Sequence, residues 1–229
     1  MKLTDRLLKI ASLVTKDKKI ADIGTDHGYI PVYLLNKAHV SYAILADVNK
    51  GPLDNAKKEV KYNNLLDNVD LRLGSGIEVL EQGEVDEVII AGMGGILISQ
   101  LLEAKLEVAH TVDKLILQPM QAQDELRRYL YKNGFEILDE VLVKEDFRIY
   151  EIIIAKYTGN ITNIEDEIYL EVGKKLIENK DPLLEEFINK KIHMYKSILN
   201  KIEGKSGEVI EQKRQASLSS IKKLENLIK

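Results

Sequence analysis

A chain of 229 residues holds one large domain or a domain with an appendage. At this size it buries roughly 70 % of its unfolded surface without needing a disulfide or metal staple. There is no cysteine, which excludes disulfides, thiolate metal sites, iron–sulfur clusters and a cysteine nucleophile. Net charge is −4 but uneven, because Lys190 to Lys229 holds ten basic and four acidic side chains, a pattern of phosphate binding or of a solvated helix face.

Leu3, Leu7, Leu8, Ile10, Ala11 and Val14 recur at helical spacing, with Thr4 placed to cap them. Lys19 to Gly24 reads as a buried strand entering a glycine turn. Tyr29 to Ala38 reads as a helix with Pro31 in its first turn. Tyr42 to Asp47 is a second buried strand ending in a carboxylate. Gly51 to Asn63 is a helix, and Val69 to Leu73 a strand. Val85 to Ala91 is a fourth strand, followed by Gly92-Met93-Gly94-Gly95 and a helix to about Glu107. Lys114 to Leu117 is a strand stopped by Pro119. Ala122 to Asn133 is a helix closed by Gly134. Phe135 to Val143 and Phe147 to Tyr157 are strands joined by the charged turn Lys144-Glu145-Asp146, hence antiparallel.

This alternation implies a parallel sheet covered by helices, ending in a hairpin. By analogy the fold class is α/β of the class I methyltransferase type, a Rossmann-like seven-stranded sheet with a terminal antiparallel hairpin. After Gly159 the strand signal stops. Ile161 to Glu178 and Pro182 to Glu203 read as helices, the latter with Leu184, Ile188, Ile192, Tyr195, Leu199 and Ile202 on one stripe. Gly204 to Gly207 is a turn, and Val209 to Lys229 a further helix with Ala216, Ile221, Leu224 and Ile228 inward. The expected organisation is a cofactor-binding domain over residues 1–159 and a coiled-coil-like helical domain over 160–229. The longest apolar stretch, Val88 to Ile98, is short and holds three glycines, so no membrane span is expected. With no signal peptide evident and no cysteine, a cytoplasmic location is expected.

Four strand ends carry candidate chemistry, since ligands of open α/β sheets gather at the carboxyl ends of the strands. In Asp22-Ile23-Gly24-Thr25-Asp26-His27-Gly28 the glycines admit a ligand close to the backbone. The spacing is not G-x-G-x-x-G, and Asp22 and Asp26 would repel a pyrophosphate. They suit a ligand with an ammonium and a sulfonium, such as S-adenosylmethionine. Asp47 can accept both hydroxyls of a ribose on any nucleoside. In the turn Gly74-Ser75-Gly76, methyltransferases often have an Asp that binds the adenine amino group; Ser75 is uncharged but can hydrogen-bond. Ala91-Gly92-Met93-Gly94-Gly95 lacks the Asn/Asp-Pro-Pro-Tyr loop that holds exocyclic amines. It leaves either a slim loop suited to a ring nitrogen or a set of glycines that only permit close packing. The scattered histidines have no metal-ligand spacing, and no metal is expected.

Asp22-Ile-Gly-Thr-Asp-His-Gly-Tyr-Ile-Pro31, Ala91-Gly-Met-Gly-Gly95, Ile116-Leu-Gln-Pro119 with Leu126-Arg127, and Tyr150-Glu-Ile-Ile153 lie in one order over roughly residues 3–157. Together they resemble the bacterial tRNA (adenine-N1)-methyltransferases that modify adenine 22. Met120, Gly28 and Ser75 depart from the residues usual there. The resemblance implies an enzyme that uses S-adenosylmethionine to methylate N1 of an unpaired or flipped adenine in tRNA. Cofactor-binding candidates are Asp22, Gly24, Asp47, Ser75, Gly76, Ala91 and Gly92. Candidates for the target-base pocket are Asp26, His27, Tyr29 and Met93, with no general base required. Candidates for tRNA phosphates are Lys190, Lys191, Lys196, Lys201, Lys205, Lys213, Arg214, Lys222 and Lys223, which the Gly204–Gly207 turn folds together. A monomer or weak dimer is expected. The competing readings are a small-molecule or protein methyltransferase whose tail dimerises, and a non-catalytic binding module.

Overall fold

A computed structural model describes residues 2–228. It divides into two compact units, one up to Asn163 and one from Ile164 on. The first is built on a seven-stranded sheet. Its strands are β1 (Ile20–Ile23), β2 (Ala43–Asp47), β3 (Val69–Leu73), β4 (Glu87–Gly94), β5 (Lys114–Gln121), β6 (Phe135–Glu145) and β7 (Arg148–Tyr157), in the order β3-β2-β1-β4-β5-β7-β6. The first five run parallel, and β7 is antiparallel to both neighbours. This is the class I methyltransferase arrangement of the Rossmann-like fold.

The central strands are buried on both faces, so their sequences are almost unbroken apolar runs; Ile20, Ile44, Leu45, Ile89, Ile90 and Ile116 have essentially no exposure. Helices α1 (Asp5–Ser12), α2 (Tyr29–Asn36) and α3 (Lys50–Tyr62) pack as one group, while α4 (Gly95–Ala104) packs with α6 (Gln123–Lys132). Right-handed crossovers put the two groups on opposite faces, because the chain steps one way from β1 to β3 and the other way from β4 to β5. The step reverses at β1 and β4, and the crevice between their ends is where a ligand fits. Thr4 caps α1 as expected, its hydroxyl accepting from the Leu7 amide at 3.5 Å.

Arg127 on α6 is fully buried between the carboxylates of Glu140 on β6 (2.7 Å) and Glu151 on β7 (2.6 Å). It pins the hairpin to the helix behind it. Removing Arg127 would strand two carboxylates in the core.

Several expected boundaries move. β5 runs through Pro119 to Gln121 instead of stopping at Leu117, because its bonds to β7 end at Leu117. Beyond that point its outer edge needs no N–H donor, which is where a strand tolerates proline. β4 starts at Glu87 instead of Val85 and runs past Ala91 to Gly94 through register shifts at Ala91/Met93 and Met93/Gly94. The helix expected to reach Glu107 breaks at Lys105 and resumes as α5 (Leu106–Ala109). The hairpin turn tightens to Asp146-Phe147, so Lys144 and Glu145 belong to β6. Asp146 takes φ +55° there, a conformation its short polar side chain tolerates.

In the second unit, the helix expected over Ile161–Glu178 reduces to α7 (Ile168–Glu171) and α8 (Lys174–Glu178), interrupted by extended Val172 and by Gly173. Residues 160–164 have too few apolar side chains to bury a helical face. α9 (Leu184–Lys201) and α10 (Glu208–Leu227) follow, joined by the expected turn and packed on one another. Ala216 does not face inward: Ser217, Ile221 and Leu224 do, and the Ser217 hydroxyl donates to the Lys213 carbonyl at 2.8 Å. Lys229 lies outside the described residues. Among the described residues no helix is long and apolar enough to cross a membrane, and no cluster of three or more His, Asp or Glu stands ready for a metal.

Candidate active site

A cavity of about 380 Å³ opens at the carboxyl ends of β1 and β4. Asp22, Gly24, Asp26, His27, Tyr29, Ala91 and Gly92 all line it, so seven of the candidates from two distant motifs meet in one place. β1 and β4 pair in register, with Asp22 opposite Ile89 and Ile23 opposite Ile90, which brings their following loops side by side. The Gly24 and Thr25 amides both donate to the Ala46 carbonyl of β2, at 2.8 and 3.0 Å. That double bond fixes the turn as it leaves the sheet. Gly28 ends the loop at φ +66°, and a Cβ there would stand 2.6 Å from the Leu45 side chain. The left-handed backbone favours glycine at the start of α2, while the contact with Leu45 involves only the end of a flexible side chain.

Asp22 is 8 % exposed. Burial pushes its carboxyl up to about 6, partly offset by the neighbouring Thr25 side chain and reinforced by the Asp47 charge. The buried Thr25 hydroxyl nevertheless makes no hydrogen bond of ordinary geometry. A carboxylate held in this way, with little competing solvent, is a strong acceptor for a ligand cation. At the cavity mouth the His27 ring stacks on Tyr29, centroids 4.9 Å apart and planes 7° from parallel, and its Nε2 lies 3.5 Å from Asp26 Oδ2.

The remaining candidates lie around the cavity instead of in its wall. Asp47 ends β2; one carboxylate oxygen accepts the Asn49 amide at 2.7 Å, leaving the other available. Ser75 is exposed at the end of β3, and Gly76 begins a 3-10 turn, Gly76–Val79. The Met93 methyl occupies the place where a Cβ of Gly24 would project, so Met93 covers the first glycine turn. The glycines flanking it divide in role. Gly92 has φ +82° with open space beside it, whereas a Cβ on Gly95 would fall 2.1 Å from the Ala122 carbonyl oxygen. Gly95 is thus a packing residue between α4 and the end of β5, and Gly92 is the one that opens onto the cavity.

Sequence reasoning missed Arg6, Leu7, Thr25 and Ile30, which also line the cavity. Arg6 was legible in principle: it stands one turn from Leu3 and from Ile10, on the inward face of α1, where a charge is out of place. Its Nη1 donates to Gln118 Oε1 at 2.6 Å, and its guanidinium lies 5.4 Å from the centre of the Tyr150 ring.

The basic residues of the second unit run along the whole helical pair. Lys190 pairs with Glu186 (3.2 Å), Arg214 with Glu211 (3.2 Å) and Lys223 with Asp166 (2.7 Å), and Lys191 lies over the Phe187 ring at 4.7 Å. Lys196, Lys201, Lys205, Lys213 and Lys222 are exposed and have no ion pair among the described residues.

Residues 3–153 match the family described as "Methyltransferase domain". The tRNA (adenine(22)-N(1))-methyltransferase of Bacillus subtilis is 37 % identical over 173 residues, 76 % of this chain and 72 % of that one. The crystal structure of the B. subtilis M1A22 tRNA methyltransferase superposes with a TM-score of 0.89 and 31 % identity, covering 100 % of this chain and 99 % of that one. A putative tRNA (m1A22) methyltransferase of Streptococcus pneumoniae, solved in complex with S-adenosyl-L-methionine, superposes with a TM-score of 0.86 and 28 % identity over 100 % of both chains. Fold, crevice and full-length likeness agree: the chain belongs to the tRNA (adenine(22)-N(1))-methyltransferase family.

Proposed function

We propose that this protein is an S-adenosylmethionine-dependent methyltransferase that forms N1-methyladenosine at adenine 22 of tRNA. The observation that carries the reading is the buried carboxylate of Asp22 in the wall of a cavity that the open backbone of Gly92 also lines. The donor set suits a molecule with a cationic amino-acid end and a nucleoside end. Asp22 holds the ammonium, Asp47 accepts from the ribose hydroxyls, Ser75 and Gly76 flank the adenine, and Ala91 and Gly92 leave room for the centre of the molecule. When bound, S-adenosylmethionine supplies an electrophilic methyl group on sulfur.

The target nitrogen carries an in-plane lone pair and no hydrogen, so no side chain has to remove a proton. The task of Asp26, His27, Tyr29 and Met93 is then to frame the flipped base and hold its nitrogen in line with the methyl group, a matter of alignment. The stacked His27–Tyr29 pair offers a flat surface for a base, and Asp26 and Asp22 place negative charge where the methylated ring becomes cationic.

Residues 1–159 would do the chemistry, and residues 160–229 would grip tRNA through phosphates. Lys196, Lys201, Lys205, Lys213 and Lys222 are the most available for that grip; Lys190, Lys191, Arg214 and Lys223 would first have to give up local partners. The working form is a monomer or weak dimer, in the cytoplasm with its substrate.

The test is mass spectrometry of nucleosides from unmodified tRNA incubated with the protein and methyl-labelled cofactor. The expected product is labelled N1-methyladenosine, lost when the transcript carries guanosine at position 22. Label on another nucleoside, or none in tRNA, would overturn the reading. Salt titrations of tRNA binding test the grip. Replacing Lys196 and Lys213 by Ala should weaken all tRNAs about equally and flatten the salt dependence. An unchanged affinity and slope would assign the second unit to another role.

A further inference from the structure

The β6–β7 hairpin ends on the same edge of the sheet as the cavity. Ile23, Ile90, Leu117 and Ile153 lie in one row across β1, β4, β5 and β7, and the pairing of β7 with β5 stops at that row. Beyond it, residues 148–152 continue beside β6 as far as Arg148 opposite Glu145. At about 3.3 Å per residue they carry the tip roughly 16 Å past the row. Glu145 accepts the Arg6 main-chain amide at 2.9 Å, and Arg6 lines the cavity. Arg148, Tyr150 and Ile152 share one face of β7 by alternation; Tyr150 and Ile152 pack in the cluster that holds Ile10 and Ala11 of α1. The tip therefore rises beside the cavity, on the side closed by α1.

The turn at that tip has a residue it does not need. Two-residue hairpin turns favour Gly, Asn and Asp, and Asp146 meets that preference. Phe147 does not, and it is 75 % exposed. The Arg148 guanidinium lies 5.4 Å from the centre of the Phe147 ring, and Lys144 is exposed on the facing strand. A flat apolar ring held in water among cations offers a face to a nucleobase and charge to the phosphates around it. A base that turns out of its stack leaves a gap, and proteins that open a stack commonly fill the gap with an apolar side chain. His27 and Tyr29 face the base that enters the cavity; a group outside it must meet the stack that base leaves. We propose that Phe147 stacks on a base beside the emptied position of the target adenine, with Arg148 and Lys144 on the adjoining phosphates, so that the hairpin tip holds the adenine out. This rests on the tRNA reading above, and adds a base contact in residues 1–159 to the phosphate grip of the second unit.

The chain has no tryptophan, so Phe147→Trp in the full chain places a single indole at the tip. Unmodified tRNA should quench its emission, as a stacked base does. Inorganic polyphosphate, which has the charge and no bases, should leave it unchanged. The variant should keep most of its methyl transfer, because an indole stacks as a phenyl ring does. Phe147→Ala should lower kcat/KM for tRNA by about 5- to 150-fold, the worth of one aromatic–base stack. Its Tm and its affinity for S-adenosylhomocysteine should match wild type, since the ring is mostly in solvent. An indole left unquenched in a variant that methylates tRNA overturns the proposal. So does equal quenching by polyphosphate, which would assign the tip to phosphates alone. Equal kcat/KM in an active wild type and in Phe147→Ala refutes the role of Phe147 and leaves the proposed function standing. A wild type that transfers no methyl group to tRNA refutes that function and the hairpin contact with it.

Discussion

Asp22→Asn is expected to make the ligand-free protein more stable while damaging its site. Burial holds the Asp22 carboxyl at about 6 against an ordinary 3.8. In the unfolded chain the group ionises freely once the pH passes 3.8; in the folded chain it resists until about 6. The folded state therefore carries a penalty that starts to build above pH 3.8 and is complete above pH 6. At 1.36 kcal/mol for each tenfold change in the protonation equilibrium, the penalty at pH 7.5 is about 3 kcal/mol. Asparagine keeps the shape and drops the charge, at the cost of an amide that needs its own partners. The net gain should be on the order of 1–3 kcal/mol, or several degrees in Tm for a chain of this size. The sign requires the gain to shrink in acid, by about 2.5 kcal/mol on going to pH 4, where the penalty itself is only about half a kcal/mol because the wild-type carboxyl is protonated in the folded state. Thermal or urea unfolding at the two pH values reads this directly. The variant should also bind S-adenosylhomocysteine at least tenfold more weakly at pH 7.5, as expected on losing a charged partner. Wild-type affinity should fall about tenfold per pH unit below 6. An Asp22→Asn protein no more stable than wild type at pH 7.5, or one whose advantage persists at pH 4, would refute the argument that burial strains this carboxylate.

Four further substitutions have expected outcomes. Asp47→Ala should weaken S-adenosylhomocysteine by roughly 1.5–3 kcal/mol with little change in Tm, since this carboxylate is partly exposed at a strand end; calorimetry and a melting curve check both halves. Glu151→Ala should cost about 1.5–3 kcal/mol in urea unfolding, because the buried Arg127 loses a charge-assisted hydrogen bond while Glu140 still balances its charge. Gly95→Ala should destabilise by about 1–3 kcal/mol through the clash with the Ala122 carbonyl, whereas Gly92→Ala, with open space at its Cβ but a left-handed backbone, should be felt in cofactor affinity as well as in stability.

The parts of this protein legible in its sequence are those whose cause is local. Continuous apolar runs such as Ala43–Asp47 identify central parallel strands, and the acidic ends of β1 and β2 point to a cationic nucleoside ligand. Thr4 marks its helix start by a local hydrogen bond and Gly134 its helix end by a left-handed backbone. What stayed hidden depends on partners elsewhere in the chain. Pro119 can lie inside β5 only because β7 stops pairing two residues earlier. Ser217 displaces Ala216 from the inner face of α10 because α9 sets the angle of that face, and its hydroxyl turns back to Lys213. Gly92 and Gly95 look alike in a glycine-rich run, yet the left-handed backbone of the first and the approach of Ala122 to the second distinguish them. Arg6 is the clearest case: its neighbours in the site are Gln118, Glu145 and Tyr150, all more than a hundred residues away.

That separation bears on how the site comes into being during synthesis. Asp22 and its glycine turn leave the ribosome early, but β1 has no β4 beside it until the chain has grown to Gly94. Arg6 emerges earlier still and finds nothing to hold it until β5, β6 and β7 have followed. Contacts this distant in sequence form late, since each requires closure of a long loop. A nascent chain therefore carries the recognisable motif well before it carries a pocket. Chains truncated before Tyr150 leave Arg6 without its aromatic support, so loss of the last strands leaves the cavity wall unsupported even where the first motif remains whole.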